Sequence, residues 1–400
     1  MSRKKVLFIT NQLPFPPVTG GKMKSWNLVN RLSEIYDLGL ATLIKDQENK
    51  HELEFRNQVP LEHYYSEQLT IPRNAFTFMR SLFGHGSLNL YRNSSRSFNR
   101  HVKSILSNYD LVIVDHYDVY PSVMRTKDKP IILHQHNAEY CLWERMSSLE
   151  KNPIKKWVIS FEANRVKNAE RSFTIDADKT WAAPNDIKAL MALGVEREKF
   201  ETTYHLGDDH LMHLPLVEYT NTKKNILFVG TQSWEANIHG MEWFLNKVWP
   251  KVKSKDQEIQ LIIIGKNPSS RLTQLTEGDA QVHYPGFVEN LEDYFHEARV
   301  SIVPLLFGSG MKVKLLNAMF RGIPSVTTTV GAEGIDIQDK KHIYISDDPM
   351  TFAEGILHLM KDQKTWEDFR NKSRRLAIEK YSWDSLIKKH RLEIDELIER

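Results

Sequence analysis

One strand, turn and helix constrain this chain more than any other feature. Val300 to Leu306 is an apolar run of strand length, Gly308-Ser309-Gly310 interrupts it, and Met311, Leu315, Ala318 and Met319 recur at helical spacing. A buried strand that turns on glycines into a helix belongs to an α/β sheet. The same geometry aims unpaired backbone N–H groups and the positive end of a helix dipole at whatever lies beyond the strand. Lys312 and Lys314 add two cationic donors there. The stretch Phe307 to Ile335 is therefore a candidate site for a phosphate-bearing ligand, such as the diphosphate of a nucleotide-sugar. The plainer alternative is an ordinary glycine turn with two solvated lysines on a helix face.

The pattern recurs along the chain. KKVLFIT ends at Thr10, and after a proline-rich loop Gly20-Gly21 precede a helix with Trp26, Leu28, Val29 and Leu32 on one side. Further β segments at Leu38 to Ile44, Leu111 to Val114 and Ile131 to Leu133 alternate with helical patterns. A second series follows: NILFVG, IQLIIIG, QVHYPGFV, VSIVPLL and PSVTTT. Such alternation predicts two doubly wound parallel sheets, and 400 residues suffice for two cores. The expected division is a domain over 1–208, a polar linker over 209–224, a second domain over 225–376, and a closing helix over 377–400 that packs back on the first. Ligands of such sheets lie beyond the carboxyl ends of strands. The loops DHYD from Asp115 and HQHNAEY from His134 occupy that position in the first half. Gly230-Thr231, Gly265-Lys266, Gly286-Phe287-Val288 and Gly308-Ser309-Gly310 occupy it in the second.

Composition narrows the function classes. With 41% hydrophobic and 26% charged residues the chain is neither disordered nor membrane-spanning, and no apolar run reaches the ~18 residues of a span. A net charge of +3 is too mild to indicate nucleic acid. No G-x-G-x-x-G is present, which argues against a nicotinamide site. The short apolar start lacks the features of a signal peptide, and one cysteine, Cys141, fits a cytoplasmic location. Residues 71–109 carry six Lys or Arg and no Asp or Glu, interleaved with Phe76, Phe78, Met79, Leu82, Phe83 and Tyr91. This stretch is either a contact with an anionic membrane surface, placing the protein peripherally on the inner face of the cell membrane, or a loop and helix turned toward the core.

Together these segments resemble the GT-B glycosyltransferases, specifically the large retaining family 4, over nearly the whole length. The proline-rich loop with Gly20-Gly21 is similar to the family's opening, and HNAE from His136 to its acceptor-domain histidine loop. PGFVENLEDYFHEARVSIVPL, GSGMKVKLLNAM and VGAEGI resemble its donor segments, and KYSWDSL its closing motif. FVGTQSWEANIHGMEWFLNKVWP resembles a glycine-serine-glycine subgroup with Trp234 and Asn237 where an arginine and a lysine usually stand. The family's two glutamates map onto Ser309 and Asn317. Asparagine there keeps one acceptor oxygen for a ribose hydroxyl but no charge.

The resemblance implies two Rossmann-like domains facing each other across a cleft, with a UDP- or GDP-sugar as substrate rather than cofactor. It implies transfer of a hexose to a glycan or lipid-linked acceptor, with retention. Lys312, Lys314 and His136 are the expected catalytic groups. The implied donor site comprises Gly20, Gly21, Gly230, Thr231, Lys266, Phe287, Val288, Gly308, Ser309, Gly310, Met311, Leu315 and Asn317. No metal is expected, because two lysines can neutralise the leaving diphosphate and Asp115 and Asp118 lack a third clustered ligand. Asp115, Asp118 and Glu139 remain open as carboxylates of the site. A non-catalytic relative that binds a nucleotide-sugar or glycan for a partner enzyme is the alternative.

Overall fold

Val6, Leu7, Phe8 and Ile9 are wholly buried, as a central parallel strand covered on both faces requires. They form β1 (Lys5–Thr10) in a computed structural model that describes residues 3–84, 86–124, 129–204, 206–232, 234–266, 269–308 and 311–400. The chain divides into two units, one of residues 1–204 with Ile387–Arg400, the other of residues 205–386.

In the first unit β1 is joined by β2 (Asp37–Ile44), β3 (His63–Gln68), β4 (Leu111–Asp115), β5 (Ile131–His134), β6 (Lys179–Ala182) and β7 (Phe200–Thr202). The seven pair in the order β3-β2-β1-β4-β5-β6-β7, all parallel. The order reverses beside β1, where Thr10 stands level with Asp115 and Asp115 with His134. These three residues share the carboxyl edge at the switch point, where open sheets of this type bind ligands.

The second unit contains β8 (Asn225–Val229), β9 (Gln260–Ile264), β10 (Val282–Gly286), β11 (Ala298–Val303), β12 (Ser325–Thr327) and β13 (Tyr344–Ile345). Their order is β10-β9-β8-β11-β12-β13, again parallel throughout. Its switch point lies beside β8. No helix among the described residues is long and apolar enough to cross a membrane.

Three boundaries differ from the sequence reading. The strand expected to run to Leu306 ends at Val303, because Pro304 has no N–H to continue the ladder. The following helix begins only at Val313, with Lys312 at its N-cap, so Met311 and Gly308 precede it. Residues 209–224 are no free linker: Val217 is fully buried, and arginines of the second unit hold this segment's carbonyls. Arg321 donates to Pro215 O at 2.6 Å, Arg370 to Val217 O at 3.0 Å and Arg299 to Thr222 O at 2.7 Å. Val217 joins the core of the second unit with Leu211 and Tyr219 packed against it, and the arginines that claim the carbonyls are distant in sequence.

The last helix, Trp383–Glu399, belongs to the first unit from Ile387 onward. His390 stacks on the wholly buried Trp181 at 3.7 Å, and Tyr36 OH donates to Asp395 at 3.1 Å.

Candidate active site

In the first unit the switch point is built around one carboxylate. Asp115 Oδ2 accepts from Thr10 Oγ1 at 3.0 Å and Ser25 Oγ at 2.6 Å. Asp115 Oδ1 accepts from His134 Nδ1 at 2.6 Å and His136 Nε2 at 2.7 Å. Parallel register brings Thr10, Asp115 and His134 abreast, and Ser25 reaches them from the second turn of the helix Gly20–Ile35. Burial pushes the Asp115 carboxyl up, but His136 and His134 outweigh it and hold it well below the usual range. Burial lowers both imidazoles to about 4 against the pull of Asp115, so each is neutral at pH 7 with its tautomer set by Asp115.

His136 is buried, and a methyl group placed on Gly21 would lie 3.5 Å from its Nδ1. The ring thus presents that nitrogen to the first turn of the helix Gly20–Ile35. Beneath it His116, held at a φ of 87°, stacks on His136 at 3.7 Å. Lys24 is 2% exposed with no hydrogen-bond partner for Nζ among the described residues; burial lowers it to about 8, opposed by Asp186 and Asp115.

Asp115, His134 and His136 also offer three ligand atoms within 4.8 Å. This corrects the reasoning that Asp115 lacks a third clustered partner: its companions are the two histidines, not Asp118. The 2.6 and 2.7 Å separations are hydrogen-bond lengths, and four donors already occupy the carboxylate. Asp118 sits apart, accepting from Asn11 Nδ2 at 3.0 Å and Asn93 Nδ2 at 2.6 Å, with burial raising its pKa.

In the second unit a cavity of about 530 Å³ opens at the switch point. Gly230, Thr231, Trp234, Asn237, Lys314 and Asn317 line it, with Leu291, Phe295 and Ile302 among its apolar walls. Lys314, in the first turn of the helix Val313–Arg321, points Nζ back across the sheet end. It donates to Asn237 Oδ1 at 2.6 Å and lies 4.5 Å from the centre of the Phe228 ring. Asn237 in turn donates from Nδ2 to Thr231 O at 2.7 Å, which fixes its amide orientation. Burial, with Lys312 nearby, lowers Lys314 to about 7. Gly230 leaves room for this pair: a Cβ would fall 2.7 Å from Lys314 Nζ and 2.9 Å from Asn237 Nδ2.

The other sequence-derived donor residues scatter. Lys312 is 5% exposed, 3.8 Å from Glu333, with its pKa lowered by burial. Leu315 is wholly buried in the core, where the helix repeat puts it, and offers a ligand no surface. Phe287 is 57% exposed beneath Lys266 Nζ at 4.2 Å, and neither they nor Val288 line the cavity. Gly308, at a φ of 130°, faces Trp234, whose ring would lie 3.6 Å from a Cβ there. Ser309 and Gly310 lie outside the described residues. Asn317 lines the cavity, but its Oδ1 already accepts from Asp208 N at 2.9 Å. One of its two acceptor positions is thus taken, and the second, together with the amide NH2, is left to a ligand. Among the cavity residues, Phe295, Leu291 and Ile302 carried no signal separating them from core residues.

Residues 223–362 match the family model described as glycosyl transferases group 1. The chain is similar to an uncharacterized 44.6 kDa protein in the cps region of Klebsiella pneumoniae, 25% identical over 371 residues that cover 90% of this chain and 91% of that one. Among solved structures it is similar to a glycosyltransferase from Rickettsia africae, with a TM-score of 0.69, 12% identity and 99% of each chain covered. It is also similar to Anabaena Alr3699/HepE in complex with UDP and glucose, with a TM-score of 0.64, 11% identity, and 98% of this chain and 100% of that one covered. The two parallel-sheet units share the fold of GT-B glycosyltransferase structures, and the unit that holds the Lys314 cavity carries the match to glycosyl transferases group 1.

Proposed function

We propose that the protein moves a hexose from a UDP- or GDP-sugar to a glycan or lipid-linked acceptor in polysaccharide or glycoconjugate synthesis, with retention and without a metal. The observation that carries this reading is Lys314 Nζ, held on Asn237 inside a cavity at the carboxyl edge of a parallel sheet. Departure of a nucleoside diphosphate concentrates negative charge on its phosphates, and a fixed ammonium in a partly desolvated pocket stabilises that charge strongly. Lys312 at the N-cap, with the backbone N–H groups that open its helix, adds to the same field. The base lies against the apolar walls, and the Asn317 amide donates to the ribose.

In the first unit, neutral His136 hydrogen-bonds a hydroxyl of the transferred sugar, held by Asp115 in one tautomer, and Gly20-Gly21 leave the helix N-terminus open to an anion. The leaving phosphate takes the acceptor proton as the acceptor oxygen attacks from the same face. A relative in a cps region supports the polysaccharide setting, and a relative that binds UDP and glucose supports a UDP-sugar. The basic, aromatic-rich composition of residues 71–109 supports a peripheral position on an anionic membrane, on the cytoplasmic side.

The second reading, a non-catalytic binder of nucleotide-sugar or glycan, is favoured by one observation: the residue at 317 is uncharged and its oxygen is already engaged. Donor hydrolysis assayed across UDP-, GDP-, ADP- and dTDP-sugars separates the two. Enzymatic release of a nucleoside diphosphate from one of them is the expected result; binding without hydrolysis, and without transfer to any acceptor in a lysate, overturns the catalytic reading.

A further inference from the structure

The first unit exposes large apolar side chains in one region. In the helix Ala75–Ser81 and just after it, Phe76 is 66% exposed and Phe83 79%, with Met79 and Leu82 also exposed. The helix Pro153–Asp176 presents Ile154, Trp157 and Phe161 at 74, 67 and 42%. Their spacing of three and four residues puts them on one helix face. The helix Glu139–Leu149 adds Leu142 and Met146.

Specific bonds hold these helices together. Arg165 donates from Nη1 to Ser81 Oγ at 3.1 Å and from Nη2 to Ser81 O, while its guanidinium lies 5.8 Å from the Phe161 ring centre. Ser147 Oγ and Ser160 Oγ are 2.6 Å apart, joining the helices that carry Met146 and Phe161. Trp157 and Phe161 stack at 5.9 Å. A soluble protein rarely exposes so much contiguous apolar surface without a partner.

The exposed charge around the apolar residues is predominantly positive. Arg80, Arg145, Lys151, Lys155 and Lys156 are exposed and make no ion pair among the described residues. The acids nearby are engaged: Glu162 with Arg165 and the Leu88 N–H, Glu144 with Lys167 at 3.3 Å, and Glu150 with the Asn152 N–H at 2.8 Å. Aromatic and aliphatic side chains ringed by Lys and Arg match the headgroup region of an anionic bilayer, which accepts rings at the acyl boundary and attracts cations to its surface.

We propose that the first unit docks on an anionic lipid surface through the face formed by the segment Phe76–Phe83 together with the helices Glu139–Leu149 and Pro153–Asp176. The inference goes beyond residues 71–109, since two of its three helices lie outside them, and it does not depend on the donor chemistry. The test is co-sedimentation of the full-length protein with vesicles of phosphatidylglycerol and phosphatidylcholine, and with phosphatidylcholine alone. Binding to the anionic vesicles is expected, falling about tenfold in Phe83→Ser/Trp157→Ser and again in Lys155→Glu/Lys156→Glu, with nucleotide binding in solution unchanged in both. Three results overturn the proposal: no binding to anionic vesicles, equal binding by wild type and both variants, or a concentration-dependent dimer in light scattering that Trp157→Ser abolishes.

Discussion

Lys314 is where the chemistry and the stability of this protein pull against each other. Its pKa of about 7 lies far below the 10.5 of a solvated lysine, with burial the main cause. Between those values the unfolded chain holds a proton that the folded chain lacks, so stability rises with pH across that window, and the burial penalty is present in full below about 7. A bound diphosphate restores the proton. Nucleoside diphosphate binding is therefore expected to take up a proton, and affinity to fall by up to about tenfold per pH unit above 7, while the melting temperature of the free protein rises over the same range. Calorimetry in buffers of different ionisation enthalpy measures the uptake, and a pH-independent affinity between 7 and 9 contradicts it. Asp115 is the other decisive residue. Asp115→Asn turns an NH2 toward ring N–H donors that need an acceptor, and a loss of about 2–3 kcal/mol by urea denaturation is expected. Unchanged stability means that the four bonds to this carboxylate do not hold the edge together.

Among the elements, the strand ends were the most legible in the sequence and the helix starts the least. β1, β4, β5, β8 and β9 are built on continuous apolar runs, and parallel strands covered on both faces leave that trace, while β11 is interrupted by Arg299 and Ser301. The edge strand β3, HYYSEQ, is only partly buried along its length and has no such run. β6, β7 and β13 span four, three and two residues, too short for periodicity to show. Gly230 and Lys314 stood out as candidates because glycines recur at successive strand ends and a lysine stands at a helix start, although an ordinary turn leaves the same trace. That they meet through Asn237 was not, because the contact is set by sheet order, which brings β8 beside β11. The turn after β8 carries its own test. Gly230→Ala puts a methyl where Lys314 Nζ sits and should cost nucleotide affinity about tenfold while moving the melting temperature little, since a lysine tip can swing aside. A large fall in melting temperature with intact binding reverses that account.

At the scale of the whole chain, the two switch points hold different chemistry. That of the first unit is a closed hydrogen-bonded node with neutral histidines on an ionised carboxylate; that of the second is an open cavity lined by a lysine held on an amide oxygen. The division between the units could not be read from composition, since arginines distant in sequence, two on helices and one on β11, bind the segment 209–224 to the second one. The central claim is that Lys314 receives the diphosphate of a nucleotide-sugar. Isothermal titration of UDP and GDP into wild type, Lys314→Ala and the surface control Lys251→Ala tests it most directly. The account predicts that one nucleotide binds wild type and Lys251→Ala alike, and binds Lys314→Ala about 10- to 100-fold more weakly, as loss of a bond between charged groups implies. Equal affinity in all three proteins would contradict it.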